Sequence, residues 1–117
     1  MKRLIVDIDG TICTQEKDYK DAKPIKERIA HINSLFDAGW EVVYFTARGT
    51  ETGIDWTNTT MKQFEEWGVD WTDLIFGKPA GDWYIDDKAF TVKQLENHMK
   101  LSKQYNYKPH IPMDAHK

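Results

Sequence analysis

The stretch RLIVDIDGTI, residues 3–12, combines a short apolar run with two carboxylates and a turn. The continuous apolar run 4–6 is typical of a strand that is covered on both faces in a parallel sheet. Asp7 and Asp9 follow at once, and the Gly-Thr pair at 10–11 predicts a turn directly after them. The sequence therefore predicts a strand whose carboxyl end carries two acidic side chains.

The size and composition of the chain indicate a single globular domain. Its 117 residues are enough to bury one core and too few for two independent ones. Hydrophobic residues make up 40% of the chain and charged residues 30%, which is ordinary for a soluble domain. We expect a core domain over residues 1–104 and an irregular tail over 105–117.

Charge and hydropathy exclude several classes of partner. The net charge of -3 arises from 16 basic and 19 acidic residues that are well mixed along the chain, which disfavours binding to nucleic acid. No apolar stretch approaches the roughly 20 residues that span a bilayer, and the amino terminus does not resemble a signal peptide. A lone cysteine, Cys13, agrees with a reducing compartment. We expect a cytoplasmic protein that contacts neither nucleic acid nor membrane.

Strand and helix patterns alternate along the rest of the chain. Helical spacing of apolar residues or a Thr-x-x-Gln capping box predicts helices over 24–38, from 58 or 59 to 67, and from about 91. Short β-branched or aromatic runs predict further strands over 41–46, 74–76 and 83–85. This alternation predicts an α/β fold with an open, mostly parallel sheet and helices on both faces.

Chemically competent side chains follow three of the four predicted strands. Besides Asp7 and Asp9, Thr46 ends the second strand, and Asp86 with Asp87 follows the last. Parallel strands would bring these groups to one sheet edge, where ligands bind in such folds. Two carboxylates about 4 Å apart repel by roughly 4 kcal/mol at an effective dielectric near 20, so the cluster needs protons or a cation. Hard oxygen ligands favour Mg²⁺, which commonly shares its site with phosphate.

Phosphoryl transfer is the reaction that these residue types favour. One Asp oxygen can act as nucleophile, and Asp9, two residues beyond Asp7, can act as general acid and then as general base. Donors are also needed for the phosphoryl oxygens, where charge spreads in the transition state. Thr46, Lys78 and the N–H groups of the Gly10-Thr11 turn can supply them.

Four motifs in this order resemble the haloacid dehalogenase superfamily of phosphohydrolases. The stretch DIDGT at 7–11 resembles the first motif of that superfamily, and Thr46 in FTAR at 45–48 resembles the second. Lys78 is similar to the third motif and the acidic pair 86–87 to the fourth. The resemblance covers residues 1 to about 100.

The resemblance implies a role for each motif residue. Asp7 would be the phosphorylated nucleophile and Asp9 the acid and base. The metal ligands would be Asp7, the backbone carbonyl of Asp9, and Asp86, while Asp87 would bind Mg²⁺ directly, through water, or orient Lys78. The predicted phosphate-binding set is Gly10, Thr46, Ala47, Arg48 and Lys78.

Two features qualify the resemblance. The GDxxxD spelling that begins at Gly81 makes Asp82 an alternative fourth-motif residue, but Asp82 precedes the predicted strand and should lie at its other end. The intervals between the motifs are too short for a cap domain, so the chain resembles the capless branch. More narrowly, residues 84–89 (YIDDKA) resemble small phosphatase-like proteins encoded with capsular polysaccharide genes.

The sequence leaves substrate and alternatives open. We expect a small phosphorylated sugar or related metabolite, with the site shielded by residues 13–23, by residues 49–57 or by a second subunit of a homo-oligomer. A phospho-accepting signalling receiver uses similar residues, but in another order along the chain. A phosphate-binding protein without catalysis is the third alternative.

Overall fold

The computed structural model describes residues 2–105. The chain forms two compact units, Met1–Ala80 and Gly81–Lys117. The predicted boundary at residue 104 stays a prediction, and the predicted tail lies almost entirely outside the described residues.

The first unit contains a parallel sheet of three strands in the order β1-β2-β3. The strands are β1 (Arg3–Val6), β2 (Glu41–Thr46) and β3 (Asp73–Phe76). Leu4 is paired with Val42 between the first two, and Thr46 with Phe76 between the last two. Since all three strands run in the same direction, their carboxyl ends lie at one edge of the sheet. The predicted open parallel α/β fold is confirmed.

Two helices connect these strands, and both are close to their predicted bounds. The first, α1, spans Lys26–Asp37, and the second, α2, spans Thr57–Trp67. Helix α2 ends at Gly68, as predicted, because its left-handed conformation (φ 68°) suits glycine at a helix end. Helix α1 begins two residues later than predicted. Pro24 pairs with Cys13 in a single antiparallel β-bridge, and Ile25 still has an extended backbone.

The core lies between the helices and the face of the sheet that carries Val42 and Tyr44. Both residues are fully buried in the central strand, and the Tyr44 ring lies 5.0 Å from the Phe64 ring of α2 in an edge-to-face arrangement. Helix α1 buries three apolar residues at helical spacing, Ile29, Ile32 and Leu35. This packing orients the carboxyl edge of the sheet and the loops that leave it.

The loop after β1 turns sharply and then leaves the sheet edge. Gly10 has a φ of 81°, which glycine adopts without strain, and the N–H groups of Thr11 and Ile12 both donate to the Ile8 carbonyl. Residues 13–24, hereafter the 13–24 loop, begin and end side by side through the bridge between Cys13 and Pro24. A short 3₁₀ helix, Tyr19–Asp21, lies within this loop.

The second unit contains helix α3 but no strand among its described residues. Helix α3 spans Val92–Tyr105 and begins with the predicted capping box, in which Thr91 and Gln94 exchange hydrogen bonds of 2.8 and 3.2 Å. The predicted strand over residues 83–85 is wrong. Trp83 and Ile85 are 84% and 93% exposed there, and the Gly81 N–H donates locally to the Tyr84 hydroxyl. A strand needs a paired neighbour, which residue preference alone does not supply.

Within residues 2–105 no helix is both long and apolar enough to cross a lipid bilayer.

Candidate active site

Asp7 lies just beyond β1 and contacts Lys78, which follows β3. Its Oδ1 is 3.3 Å from the Nζ of Lys78, and the side chains are 36% and 18% exposed respectively. The Thr11 hydroxyl donates to the other oxygen, Oδ2, at 3.4 Å. The fold therefore brings the predicted nucleophile and a predicted phosphate ligand together from positions 71 residues apart in sequence (78 − 7).

Thr46 and Lys78 are joined through the backbone at the carboxyl ends of β2 and β3. The Lys78 N–H donates to the Thr46 carbonyl at 3.0 Å. Thr46 is buried, and its hydroxyl accepts a hydrogen bond from the Arg48 N–H at 3.1 Å. Because β1, β2 and β3 end at the same edge, Asp7, Thr46 and Lys78 form the centre of the candidate site.

Asp9 is held by an arginine that the sequence suggested as a phosphate ligand. Arg48 Nε donates to Asp9 Oδ2 and Nη2 donates to Oδ1, both at 2.9 Å, which is the two-point geometry typical of guanidinium and carboxylate. The Arg48 side chain is 0% exposed and the Asp9 side chain 13%. Arg48 is therefore a buried residue that is bound to the predicted acid and base.

Helix α2 and the 13–24 loop hold the other side of the guanidinium. Nη1 of Arg48 donates to Thr60 Oγ1 at 3.0 Å and to Gln63 Oε1 at 2.6 Å. The guanidinium carbon lies 4.9 Å from the Tyr19 ring centroid, and Gln63 also donates to the Tyr19 carbonyl at 2.7 Å. Tyr19 in turn packs edge-to-face on Trp56, with ring centroids 5.0 Å apart. The two loops predicted to shield the site thus contact each other beside Arg48.

The Gly10 and Thr11 N–H groups, which are predicted to bind phosphate, have acceptors within the loop itself. The Gly10 N–H donates to the Cys13 carbonyl at 2.9 Å, and the Thr11 N–H donates to the Ile8 carbonyl at 3.0 Å. Ala47 is half-buried, and its carbonyl accepts from the Thr50 N–H. Phosphate binding by Gly10 and Ala47 stays a prediction.

Cys13 lies against Asp9 but has the properties of a buried neutral thiol. Its Sγ is 3.5 Å from Asp9 Oδ1, to which it donates, and the residue is fully buried. Burial and the adjacent Asp9 carboxylate raise the pKa of the thiol to about 12. Since the thiolate is the reactive form, this environment is the opposite of one that activates a cysteine nucleophile.

Asp86 and Asp87 belong to the second unit, and both are exposed. The Lys88 N–H donates to Asp86 Oδ1 at 2.9 Å, and this hydrogen bond holds the pKa of Asp86 below its ordinary value. Asp82 is also exposed. Metal binding by Asp86 and Asp87 stays a prediction.

The donors in the first unit suit Mg²⁺ chemically, although they are few. Within residues 2–105, no three His, Cys, Asp or Glu side chains come together as a metal-binding group. Mg²⁺ nevertheless commonly takes only one or two carboxylates and completes its shell with water and substrate phosphate. The partly exposed Asp7 carboxylate fits this type of site.

Sequence reasoning missed the residues that support Arg48. Thr60 and Gln63 are buried polar residues three positions apart on α2, and the same face carries the core residue Phe64. Two polar residues on a core-facing stripe are a signal that a buried partner needs them. The sequence showed this spacing, but the identity of the partner depends on the fold.

Comparisons with known proteins establish the fold and little more. No protein-family model matches the chain, and no curated protein matches it. Among solved structures, a structural-genomics target from Vibrio cholerae is similar with a TM-score of 0.76 and 24% identity, over 92% of this chain and 100% of that chain. The D,D-heptose 1,7-bisphosphate phosphatase from B. bronchiseptica, complexed with magnesium and phosphate, is similar with a TM-score of 0.51 and 18% identity. That match covers 92% of this chain and 65% of the phosphatase. At these identities the similarity shows the α/β fold alone.

Proposed function

We propose that the protein is a Mg²⁺-dependent phosphomonoester hydrolase that works through a phosphorylated Asp7. The contact between Asp7 and Lys78 at 3.3 Å, beside Thr46, is the observation that carries this proposal. A nucleophilic carboxylate needs an adjacent cation, because the incoming phosphoryl group is itself negatively charged. The similar fold of a solved phosphatase with bound magnesium and phosphate supports the same reaction class.

The proposed reaction has two transfer steps. An Asp7 oxygen attacks phosphorus, the bond between phosphorus and the ester oxygen breaks, and Asp9 gives its proton to the departing alkoxide. Asp9 then takes a proton from water as that water attacks the aspartyl-phosphate, which releases inorganic phosphate and restores the Asp7 carboxylate. Lys78 and the Thr46 hydroxyl bind the phosphoryl oxygens during both steps.

The proposed cofactor is Mg²⁺, with Asp7 and the Asp9 carbonyl as ligands from the first unit and Asp86, with or without Asp87, from the second. When bound, the ion neutralises negative charge on the nucleophile and on the phosphate. Lys78 supplies part of the same neutralisation from the protein itself.

The proposed substrate is a small phosphorylated sugar or a related metabolite. We propose a capless enzyme in the cytoplasm, similar to phosphatases of polysaccharide biosynthesis. The 13–24 loop and the loop over 49–57 would exclude water around the phosphoryl group, because they contact each other through Tyr19 and Trp56. A homo-oligomer that covers the site would serve the same purpose.

The test is hydrolysis of a panel of aryl and sugar phosphates with Mg²⁺ and with EDTA. We expect Mg²⁺-dependent release of phosphate, and we expect Asp7→Asn to lower kcat by at least about 10³-fold because it removes the nucleophile. Asp37→Asn is the matched control, since Asp37 is an exposed acid at the end of α1. It should retain full activity.

Three results would contradict this proposal. They are full activity in EDTA, full activity of Asp7→Asn, and no turnover of any compound by the wild-type protein. Stoichiometric labelling by acetyl phosphate with slow decay would instead favour the signalling receiver. Binding of phosphate without turnover would favour the inactive binding protein.

A further inference from the structure

All five N–H groups of the Arg48 guanidinium have acceptors inside the protein. Nε and Nη2 donate to the two oxygens of Asp9, and Nη1 donates to Thr60 and Gln63. The second N–H of Nη2 points to Cys13 Sγ at 3.9 Å. A guanidinium has five donors in total, so none is left for a phosphate oxygen in this arrangement.

The same side chain is also enclosed on its face and inaccessible to solvent. The Tyr19 ring covers the guanidinium, with its centroid 4.9 Å from the guanidinium carbon. The side chain is 0% exposed. A ligand would therefore have to displace the Asp9 contacts or the α2 contacts to reach Arg48.

We infer that Arg48 is a positioning residue, which fixes the Asp9 carboxyl group for proton transfer and does not bind the phosphoryl group. The inference rests on the proposed function, since it assigns Arg48 a task in that reaction. Two parallel hydrogen bonds define the plane of the carboxyl group as well as its place. A single contact would leave the carboxyl group free to rotate.

Helix α2 sets where this carboxyl group lies. Thr60 and Gln63 anchor Nη1 on a rigid helix, while the opposite edge of the guanidinium holds Asp9. A proton donor must lie within hydrogen-bond reach of the leaving oxygen, and a displacement of about 1 Å can cost roughly 10²-fold in rate. Arg48 transmits the position of α2 to the acid, which makes Thr60 part of the same support.

Arg48→Lys separates positioning from phosphate binding, because lysine keeps the charge but cannot form the two-point contact. The probes are phenyl phosphate and 4-nitrophenyl phosphate, since nitrophenolate leaves readily without a proton. We expect kcat/KM to fall about 10²-fold for phenyl phosphate and at most about threefold for 4-nitrophenyl phosphate. Arg3→Lys is the matched control and should change neither value, because Arg3 is an exposed arginine paired with Glu41.

A double variant provides an independent readout of the same coupling. In the Asp9→Asn background, Arg48→Lys should lower kcat/KM for 4-nitrophenyl phosphate no further, because the residue through which it acts is already gone. Thr60→Val is a second variant for the case that the arginine variant misfolds, since it removes one acceptor of Nη1 and keeps the side-chain shape. It should also lower kcat/KM more for phenyl phosphate than for 4-nitrophenyl phosphate, but by a smaller factor than Arg48→Lys.

The outcomes separate this inference from the proposed function. Equal losses on both aryl phosphates, or a further loss in the Asp9→Asn background, would show that Arg48 binds the phosphoryl group, and would overturn the inference while the phosphatase stands. An inhibition constant for inorganic phosphate that rises tenfold or more in Arg48→Lys would have the same meaning. Absence of turnover by the wild-type protein would reject the proposed function and this inference together.

Discussion

The Tyr44 hydroxyl is a polar group buried in the core of the first unit. Tyr44 is fully buried in the central strand, and its hydroxyl has no hydrogen-bond partner among the described residues. Burial, with a smaller effect from the negative charge of Asp70, raises the pKa of this hydroxyl. An unsatisfied buried hydroxyl costs about 1–3 kcal/mol of stability.

Tyr44→Phe should therefore raise the free energy of unfolding, by about 1 kcal/mol at pH 7. The advantage should grow as the pH rises above about 10, because the raised pKa keeps the native hydroxyl protonated while the unfolded one ionises and stabilises the unfolded wild type. Urea unfolding at several pH values measures both effects. Tyr84→Phe is the control and should bring no gain in stability, since Tyr84 is exposed and its hydroxyl accepts a hydrogen bond from the Gly81 N–H. A loss of stability in Tyr44→Phe would mean that the hydroxyl is hydrogen-bonded in solution.

Arg48 shows why residue chemistry at the site was only partly predictable. The sequence suggested Asp7, Asp9, Thr46 and Lys78 as candidates because strand ends and short motifs are local features, and their proposed roles stay predictions. It could not identify the acceptors of Arg48, since these come from α2, from Asp9 and from Cys13. Which acceptors bind the five N–H groups of Arg48 depends on the folded arrangement.

Among the elements, the loop after β2 depends on a glycine that the fold uses for close packing. Gly49 has a φ of 80°, and a Cβ atom there would overlap with the Ile54 carbonyl oxygen and approach Trp56 Cδ1 at 3.2 Å. Gly53, in the same loop, has a similar φ of 75°, but nothing lies within 4 Å of a Cβ placed there. Substitution of Gly53 therefore tests backbone strain alone, whereas substitution of Gly49 tests strain and steric overlap together.

Gly49→Ala should destabilise the protein by about 2–5 kcal/mol, as the sum of about 1–2 for the left-handed backbone and about 1–3 for overpacking. Gly53→Ala carries the first cost alone and should lose only about 1–2 kcal/mol. Urea unfolding monitored by tryptophan fluorescence gives both values. Equal losses in the two variants would show that the loop opens freely at Gly49, and would weaken its proposed role as a shield.

Two element boundaries followed the sequence because a local rule sets them. The end of α2 at Gly68 and the start of α3 at Thr91 both depend on contacts within four residues. The predicted strand over 83–85 failed because pairing is a long-range property. The start of α1 was two residues off for a similar reason, because Pro24 pairs with Cys13, eleven positions earlier in the chain.

For the whole molecule, Mg²⁺ binding should appear as stability even before a substrate is known. A ligand that binds only the folded state stabilises it by about 2.7 kcal/mol at one hundred times its dissociation constant. We expect Mg²⁺ to raise the midpoint of thermal unfolding by several degrees, and EDTA to reverse the rise. Sodium chloride at equal ionic strength controls for screening of charge.

The same measurement assigns the ligands. Asp7→Asn should abolish the Mg²⁺-dependent rise, because the partly exposed Asp7 carboxylate is the side chain of the first unit best suited to the ion, whereas Asp37→Asn should preserve it. Loss of the rise in Asp86→Asn would support the sequence prediction for the second unit. The comparison uses the difference with and without Mg²⁺ for each variant, because removing a charge also shifts the midpoint directly. A rise that persists unchanged in Asp7→Asn would place the ion elsewhere and would contradict the proposed cofactor site.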